Sequence, residues 1–137
     1  MLKPFTPFPV QQRDAFLVPS GPDSNPDSLH LFLVLTDPAK SNRILLVNAS
    51  TVYLNVTHDS SCYLQIGDHP FITQQSYVVY AKARIVLTAK FCSMIASSQV
   101  KHRPPPINLA VFNKIDTGFQ TSLFADPEFL HFFNTFK

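Results

Sequence analysis

The sequence predicts a small, mainly β domain, a closed or partly open barrel or a sandwich, that ends in helices. Five or six short apolar or alternating segments follow one another at spacings near a dozen residues, with no helical pattern between them. A chain of 137 residues suffices for one domain with its own core. Beyond Pro104-Pro105-Pro106 the apolar spacing becomes helical. These observations favour a β core with a helical tail over a βαβ arrangement.

The composition indicates an unusually apolar surface. Hydrophobic residues make up 45% of the chain and charged residues 15%, against roughly 25% charged residues in typical soluble domains. We therefore expect part of the surface to be covered by a partner, and a homodimer would satisfy this. The net charge of +2 permits RNA as a partner without indicating it.

The cysteines and the N-terminus predict a cytoplasmic protein. Cys62 and Cys92 have no metal-binding spacing and favour two reduced, buried thiols over a disulfide. Residues 1–10 lack the apolar core of a signal peptide, and no run approaches the roughly 18 apolar residues of a membrane span. We expect no membrane association and no metal or other cofactor.

Residues 1–28 are rich in proline and predict an extended arm, so that the single domain would comprise residues 29–137. Phe5, Phe8 and Phe16 are the expected anchors of that arm. Buried strands are predicted at 29–35 and 43–47, where apolar residues run almost continuously. Weaker patterns predict further strands at 52–56, 62–66 and 76–80, the last continuing through 83–86.

The C-terminal part divides at its prolines. Residues 88–103 carry several small and hydroxyl side chains, and their pattern does not distinguish a helix from a strand. Helical spacing from 107 to 115 predicts a helix that stops at Gly118. Asp126 and Pro127 are suited to the cap and the first position of a last helix.

The densest chemistry lies at 67–72, which reads Gly-Asp-His-Pro-Phe-Ile, and at 76–80, which reads Ser-Tyr-Val-Val-Tyr. Pro70 forces His69 into an extended conformation within this turn. On one continuous strand, Tyr80 would share a face with Lys82 and Arg84 and form a basic and aromatic patch.

The order of elements resembles the PemK/MazF-like toxin family. The resemblance covers about residues 29–118 and includes a strand ending in Leu33-Val34-Leu35-Thr36 and a second ending in Asn48-Ala49-Ser50-Thr51. It implies a small β-barrel that is a homodimeric endoribonuclease, acts on RNA and pairs with an antitoxin. In that family an Arg-Pro pair precedes the first strand, whereas Leu29-His30 stands there in this chain. The Thr or Ser that follows the second strand is matched by Ser50-Thr51.

RNA cleavage by the 2′-hydroxyl requires a base, an acid and a cation near the phosphate, and needs no metal. Histidine titrates near neutrality, hydroxyls bind phosphate oxygens, and arginine supplies the charge. The candidate catalytic residues are His69, Ser50, Thr51 and His30. The candidate substrate-binding residues are Arg43, Ser76, Tyr77, Tyr80 and Arg84.

Each candidate has a structural alternative. His69 could donate to backbone carbonyls within its turn, and His30 could be a satisfied strand residue. Ser50-Thr51 could simply end a strand, and Lys82 and Arg84 could be solvated charges at a sheet edge. The alternative function is a non-catalytic β-barrel module that holds a protein partner or nucleic acid.

Overall fold

The computed structural model describes residues 8–20 and 29–137. These residues form seven strands, three α-helices and one turn of 3₁₀ helix at Tyr80–Lys82. In chain order the elements are β1 (Ala15–Pro19), β2 (Leu29–Val34), β3 (Arg43–Thr51), β4 (Tyr63–Leu64), β5 (Ser76–Val78), β6 (Arg84–Leu87), α1 (Thr88–Ala96), β7 (Lys101–His102), α2 (Leu109–Thr121) and α3 (Pro127–Phe136).

The strands form one antiparallel sheet in the order β4-β5-β3-β2-β1-β7. The long strand β3 is its centre, because β2 pairs along one side while β6 and β5 pair in series along the other. No pairing joins β4 to β7 within the described residues, so this sheet is open. A mainly β core with C-terminal helices is therefore confirmed.

Both faces of the sheet are buried, which explains why β2 and β3 are almost continuously apolar. Alternate residues of β2 enter two separate cores, Leu31 and Leu33 on one face and Phe32 and Val34 on the other. We call the first the α2/α3 face, because its core includes Ile115, Phe119 and Phe133. The second is the α1 face, whose core includes Phe91 and Cys92.

Residues 15–19 of the predicted N-terminal arm belong to the sheet, contrary to the predicted boundary at residue 29. Strand β1 lies between β2 and β7. Its Phe16 is fully buried, with its ring centroid 4.9 Å from that of Phe91, so burial of this side chain holds the segment in the sheet. Phe5 lies outside the described residues.

Two of the predicted strands differ in the structure. Residues 52–56 form no strand, and Tyr53 and Leu54 are exposed. The segment from β5 to β6 is interrupted by the turn at Tyr80–Lys82, which directs Tyr80 into the core. The predicted patch that joined Tyr80 to Lys82 and Arg84 is therefore wrong.

The helices resolve what the sequence left open. Residues 88–103 contain both α1 and β7. Gly118 does not end a helix but lies inside α2. Only glycine fits there without a shift of its neighbours, because an added Cβ would lie 2.7 Å from the Cβ of Cys62. At α3 the prediction is confirmed, since the Asp126 side chain accepts a hydrogen bond from the Glu128 amide at 2.8 Å and Pro127 follows the cap.

Candidate functional site

A polar pocket of about 110 Å³ opens on the α1 face, at the start of β2 and the end of β3. It combines hydroxyl, amide, imidazole and basic side chains on an apolar floor. We define the polar pocket by Ser20, His30, Phe32, Asn48, Ser50, Tyr77, Val79, Lys82 and Arg84.

Strand alternation and register explain why these residues meet. His30 lies two residues before Phe32 on β2, and Asn48 lies two before Ser50 on β3, so each pair shares a face. Asn48 is the cross-strand partner of Phe32, and Ser50 is the partner of Tyr77 on β5. The Cβ atoms of such partners lie about 4.5–5.5 Å apart. Three neighbouring strands thus place their polar side chains on one surface.

His30 is held at one of its two ring nitrogens. Its Nδ1 lies 3.0 Å from the hydroxyl oxygen of Ser20, at the end of β1. The side chain is half-buried. Because this hydrogen bond occupies Nδ1, proton transfer or ligand binding at His30 falls to Nε2.

The polar pocket is positively charged. The guanidinium carbon of Arg84 lies 5.0 Å from the centroid of the Phe32 ring, a cation–π contact that holds the charge over the pocket. Lys82 supplies a second cation, and none of the described residues that line the pocket carries a carboxylate. Such a pocket favours an anion.

Asn48 provides an unsatisfied polar group in the pocket wall. Its side-chain oxygen is buried without a hydrogen-bond partner in the described part of the chain, and the residue is 6% exposed. A buried polar group left unpaired costs about 1–3 kcal/mol, which a bound ligand can recover. Asn48 was not proposed from the sequence, because it follows the predicted strand at 43–47 and only the packing shows that its side-chain oxygen is unpaired.

Thr51 and Ser76 lie on the opposite face of the sheet. They are cross-strand partners on β3 and β5 and line a hollow of about 500 Å³ beside Phe71. The Ser76 hydroxyl donates to the carbonyl oxygen of Gln74 at 3.0 Å. His30 and Ser50, at the sheet's end, border this hollow as well as the polar pocket.

His69 lies outside the polar pocket and is 3% exposed. Its Nε2 is 3.0 Å from the carbonyl oxygens of Arg103 and Pro105. Its Nδ1 accepts a hydrogen bond from the Phe71 amide at 3.1 Å. Both ring nitrogens therefore serve the backbone, as in the structural alternative stated for this residue.

Two further candidates are placed elsewhere. Tyr80 is 1% exposed, and its hydroxyl donates to the carbonyl oxygen of Ile115 at 2.6 Å. Arg43, at the far end of β3, packs its guanidinium 5.2 Å from the Phe132 ring centroid. Neither residue lines the polar pocket. Four of the nine candidate residues proposed from the sequence do line it: His30, Ser50, Tyr77 and Arg84.

Several properties of the described residues bear on ligands. Cys62 and Cys92 are both free and buried. Residues 8–20 and 29–137 contain no group of three or more His, Cys, Asp or Glu side chains placed to hold a metal ion. None of the helices in this part of the chain has both the length and the apolar character required to cross a bilayer.

Comparison of the chain with models of known protein families gave no match, and a search among curated proteins found no significant similarity either.

Proposed function

We propose that this chain is a metal-independent endoribonuclease of the PemK/MazF toxin type and that it acts on RNA at the polar pocket. One observation carries the proposal: His30, Ser50, Tyr77 and Arg84 border a single basic pocket with Lys82. A phosphodiester is the anion that suits this combination, because it uses both the cations and the hydroxyl donors. On this proposal, we interpret the open sheet as a partly open barrel of the kind expected for this family.

The chemistry assigns a role to each group. Nε2 of His30 takes the proton of the ribose 2′-hydroxyl, whose oxygen attacks phosphorus. The bond to the 5′-oxygen breaks, that oxygen takes up a proton from the Tyr77 hydroxyl or from water, and the products are a 2′,3′-cyclic phosphate and a 5′-hydroxyl. Arg84 and Lys82 stabilise the charge that develops on the phosphoryl oxygens. The Ser50 hydroxyl donates to a phosphoryl oxygen, and the unpaired side-chain oxygen of Asn48 accepts from a ribose hydroxyl.

A second candidate is an RNA-binding module that does not cleave. The observation in its favour is that His30 is the one histidine among the described residues that line the pocket. Cleavage needs both a base and an acid, so the second proton transfer would have to come from Tyr77 or from water.

The experiment measures binding and cleavage separately, with a labelled single-stranded RNA in the presence of a chelator. His30→Ala should lower the cleavage rate about 100-fold or more, the usual contribution of general acid–base catalysis, and leave binding intact. Arg84→Gln should weaken binding and cleavage together. Lys90→Gln is the matched control, because it removes the same charge from an exposed position outside the polar pocket.

The outcomes separate the two candidates. Binding without cleavage by the wild-type chain would select the binding module. Absence of RNA binding at low salt would overturn both candidates, because phosphate contacts are strongest there. Expression of the wild-type chain and its His30→Ala variant in a bacterial host, with growth and RNA integrity followed together, tests the toxin assignment.

The antitoxin, the homodimer and the cytoplasmic location remain part of this proposal. Large apolar side chains are exposed beside the hollow at the sheet's end, where Tyr53 is 62%, Leu54 93% and Phe71 44% exposed. A protein partner would cover them. Light scattering at micromolar concentration tests the homodimer, and a monomer there would remove it.

A further inference from the structure

A second pocket, of about 230 Å³, adjoins the polar pocket and is lined largely by ring systems. We define this aromatic pocket by its lining residues, of which four carry rings: Thr57, His58, Asp59, Tyr77, Val79, Tyr80, Ala81 and Phe124. Tyr77 and Val79 also line the polar pocket, so the two pockets lie side by side at the end of one strand.

The His58 ring of the aromatic pocket is held in place before any ligand binds. The centroids of His58 and Tyr77 are 5.1 Å apart. The His58 ring is fixed at both nitrogens, with Nε2 2.7 Å from the Tyr63 hydroxyl and Nδ1 3.2 Å from the Val56 carbonyl oxygen. A ring held in this way presents its face without losing side-chain freedom on binding.

Phe124 is positioned by a clamp between two loops. The Ser122 hydroxyl donates to the Asp59 carboxylate at 2.6 Å and accepts a hydrogen bond from the Phe124 amide at 3.1 Å. Phe124 is nevertheless 60% exposed. A large ring that is backbone-anchored and open to solvent is available for stacking.

We propose that the aromatic pocket binds an unpaired nucleobase of the nucleotide whose phosphate lies in the polar pocket. This inference rests on the proposed function and deepens it, because it assigns a subsite for the base beside the site for the phosphate. Proteins that read single-stranded RNA stack bases on aromatic and histidine side chains beside a basic groove. Here Tyr77 and Val79 border both subsites, so the base and the phosphate of one nucleotide would occupy neighbouring pockets.

The test compares two labelled probes at one fixed salt concentration: a short single-stranded oligoribonucleotide, and an oligomer of equal length and charge with abasic sites. Phe124→Ala should weaken binding of the base-bearing probe about fivefold or more, as expected from the loss of one stacking contact. It should leave binding of the abasic probe unchanged. Leu123→Ala is the matched control, because Leu123 is the next residue, is 93% exposed and does not line the pocket.

The outcomes are distinguishable from those of the proposed function. Equal affinities of Phe124→Ala and Leu123→Ala for the base-bearing probe would overturn the nucleobase subsite while leaving the phosphate site in place. An equal loss on both probes would also overturn it, because the effect would not depend on the base. Failure of the wild-type chain to bind either probe would remove the proposed function, and the subsite with it.

Discussion

Nε2 of His69 lies 3.0 Å from the carbonyl oxygen of Arg103, and this contact ties the turn that follows β4 to the segment between β7 and α2. The two residues are distant in sequence, so the histidine crosslinks parts of the chain that strand pairing leaves separate. The guanidinium of Arg103 in turn lies 5.2 Å from the Phe71 ring centroid, next to that turn.

Replacing His69 with alanine should destabilise the protein rather than inactivate it. The change removes the hydrogen bonds of His69 to the backbone at Arg103, Pro105 and Phe71, and a typical hydrogen bond contributes about 0.5–1.5 kcal/mol to stability. Urea denaturation should give a lower free energy of unfolding, while RNA cleavage per folded molecule stays at the wild-type level. His131→Ala, at an exposed position on α3, should change neither quantity. Unchanged stability with lost activity would return His69 to the functional site.

Gly118→Ala should destabilise the protein, although alanine is the better helix former. An added Cβ would meet the Tyr80 hydroxyl and would lie 2.9 Å from the carbonyl oxygen of Ser61. Overpacking of this kind costs about 1–3 kcal/mol, which exceeds the helix-propensity gain of about 1 kcal/mol. Thermal unfolding followed by circular dichroism measures the change.

The control for this prediction is Thr117→Ala, one residue earlier at an exposed position of α2. It improves helix propensity without adding atoms to the core and should be neutral or slightly stabilising. A Gly118→Ala variant at least as stable as wild type would show that the contact with Tyr80 relaxes freely.

The strands β2 and β3 could be predicted because burial on both faces leaves a nearly continuous apolar run. The strand β1 could not, because prolines surround it and its pairing with β2 and β7 is a long-range contact. The length of α2 was also hidden, since Gly118 is ordinarily a stop signal and its role here depends on Tyr80, far away in sequence.

The candidate site was predictable where it follows strand alternation. Ser50 and Tyr77 are cross-strand partners, and both were proposed from the sequence. Tyr80 was placed wrongly because alternation holds only along a continuous strand, and the 3₁₀ turn ends it there. Asn48 was missed because its importance depends on an unpaired side-chain oxygen, which only the packed structure reveals.

Asp14→Asn should make the protein more stable at neutral pH. Burial raises the pKa of Asp14 above its usual 3.8, although a hydrogen bond from the Gln11 amide and the charges of His102 and Arg13 oppose the shift. A raised carboxyl pKa means that the stability contributed by this group is complete below pH 3.8 and is lost as the pH rises through the folded value. Asparagine keeps an acceptor for the Gln11 amide, at 2.9 Å in the wild type, without the buried charge.

Denaturant unfolding across a pH series checks this prediction. The difference in unfolding free energy between Asp14→Asn and wild type should shrink as the pH falls toward the usual carboxyl pKa. Asp37→Asn, whose side chain caps a turn by accepting from the Ala39 amide, serves as the control for general effects of charge. A difference that does not depend on pH would show that Asp14 is not the titrating group.

Asp59→Asn should produce the opposite dependence on pH. Burial opposes ionisation of Asp59, but hydrogen bonds from Ser122 and Ser61 outweigh it and lower the pKa of this carboxyl below its usual 3.8. The stability that Asp59 contributes is therefore present above pH 3.8 and is lost as the pH falls through the folded pKa. At neutral pH the variant should be less stable than wild type, and the two should converge in acid.

Asp126→Asn is the control, since asparagine caps a helix as well as aspartate does. Because Ser122 also anchors Phe124, Asp59→Asn should weaken binding of the base-bearing RNA more than binding of the abasic probe. Full stability at neutral pH with unaltered RNA binding would show that the clamp between the two loops is dispensable.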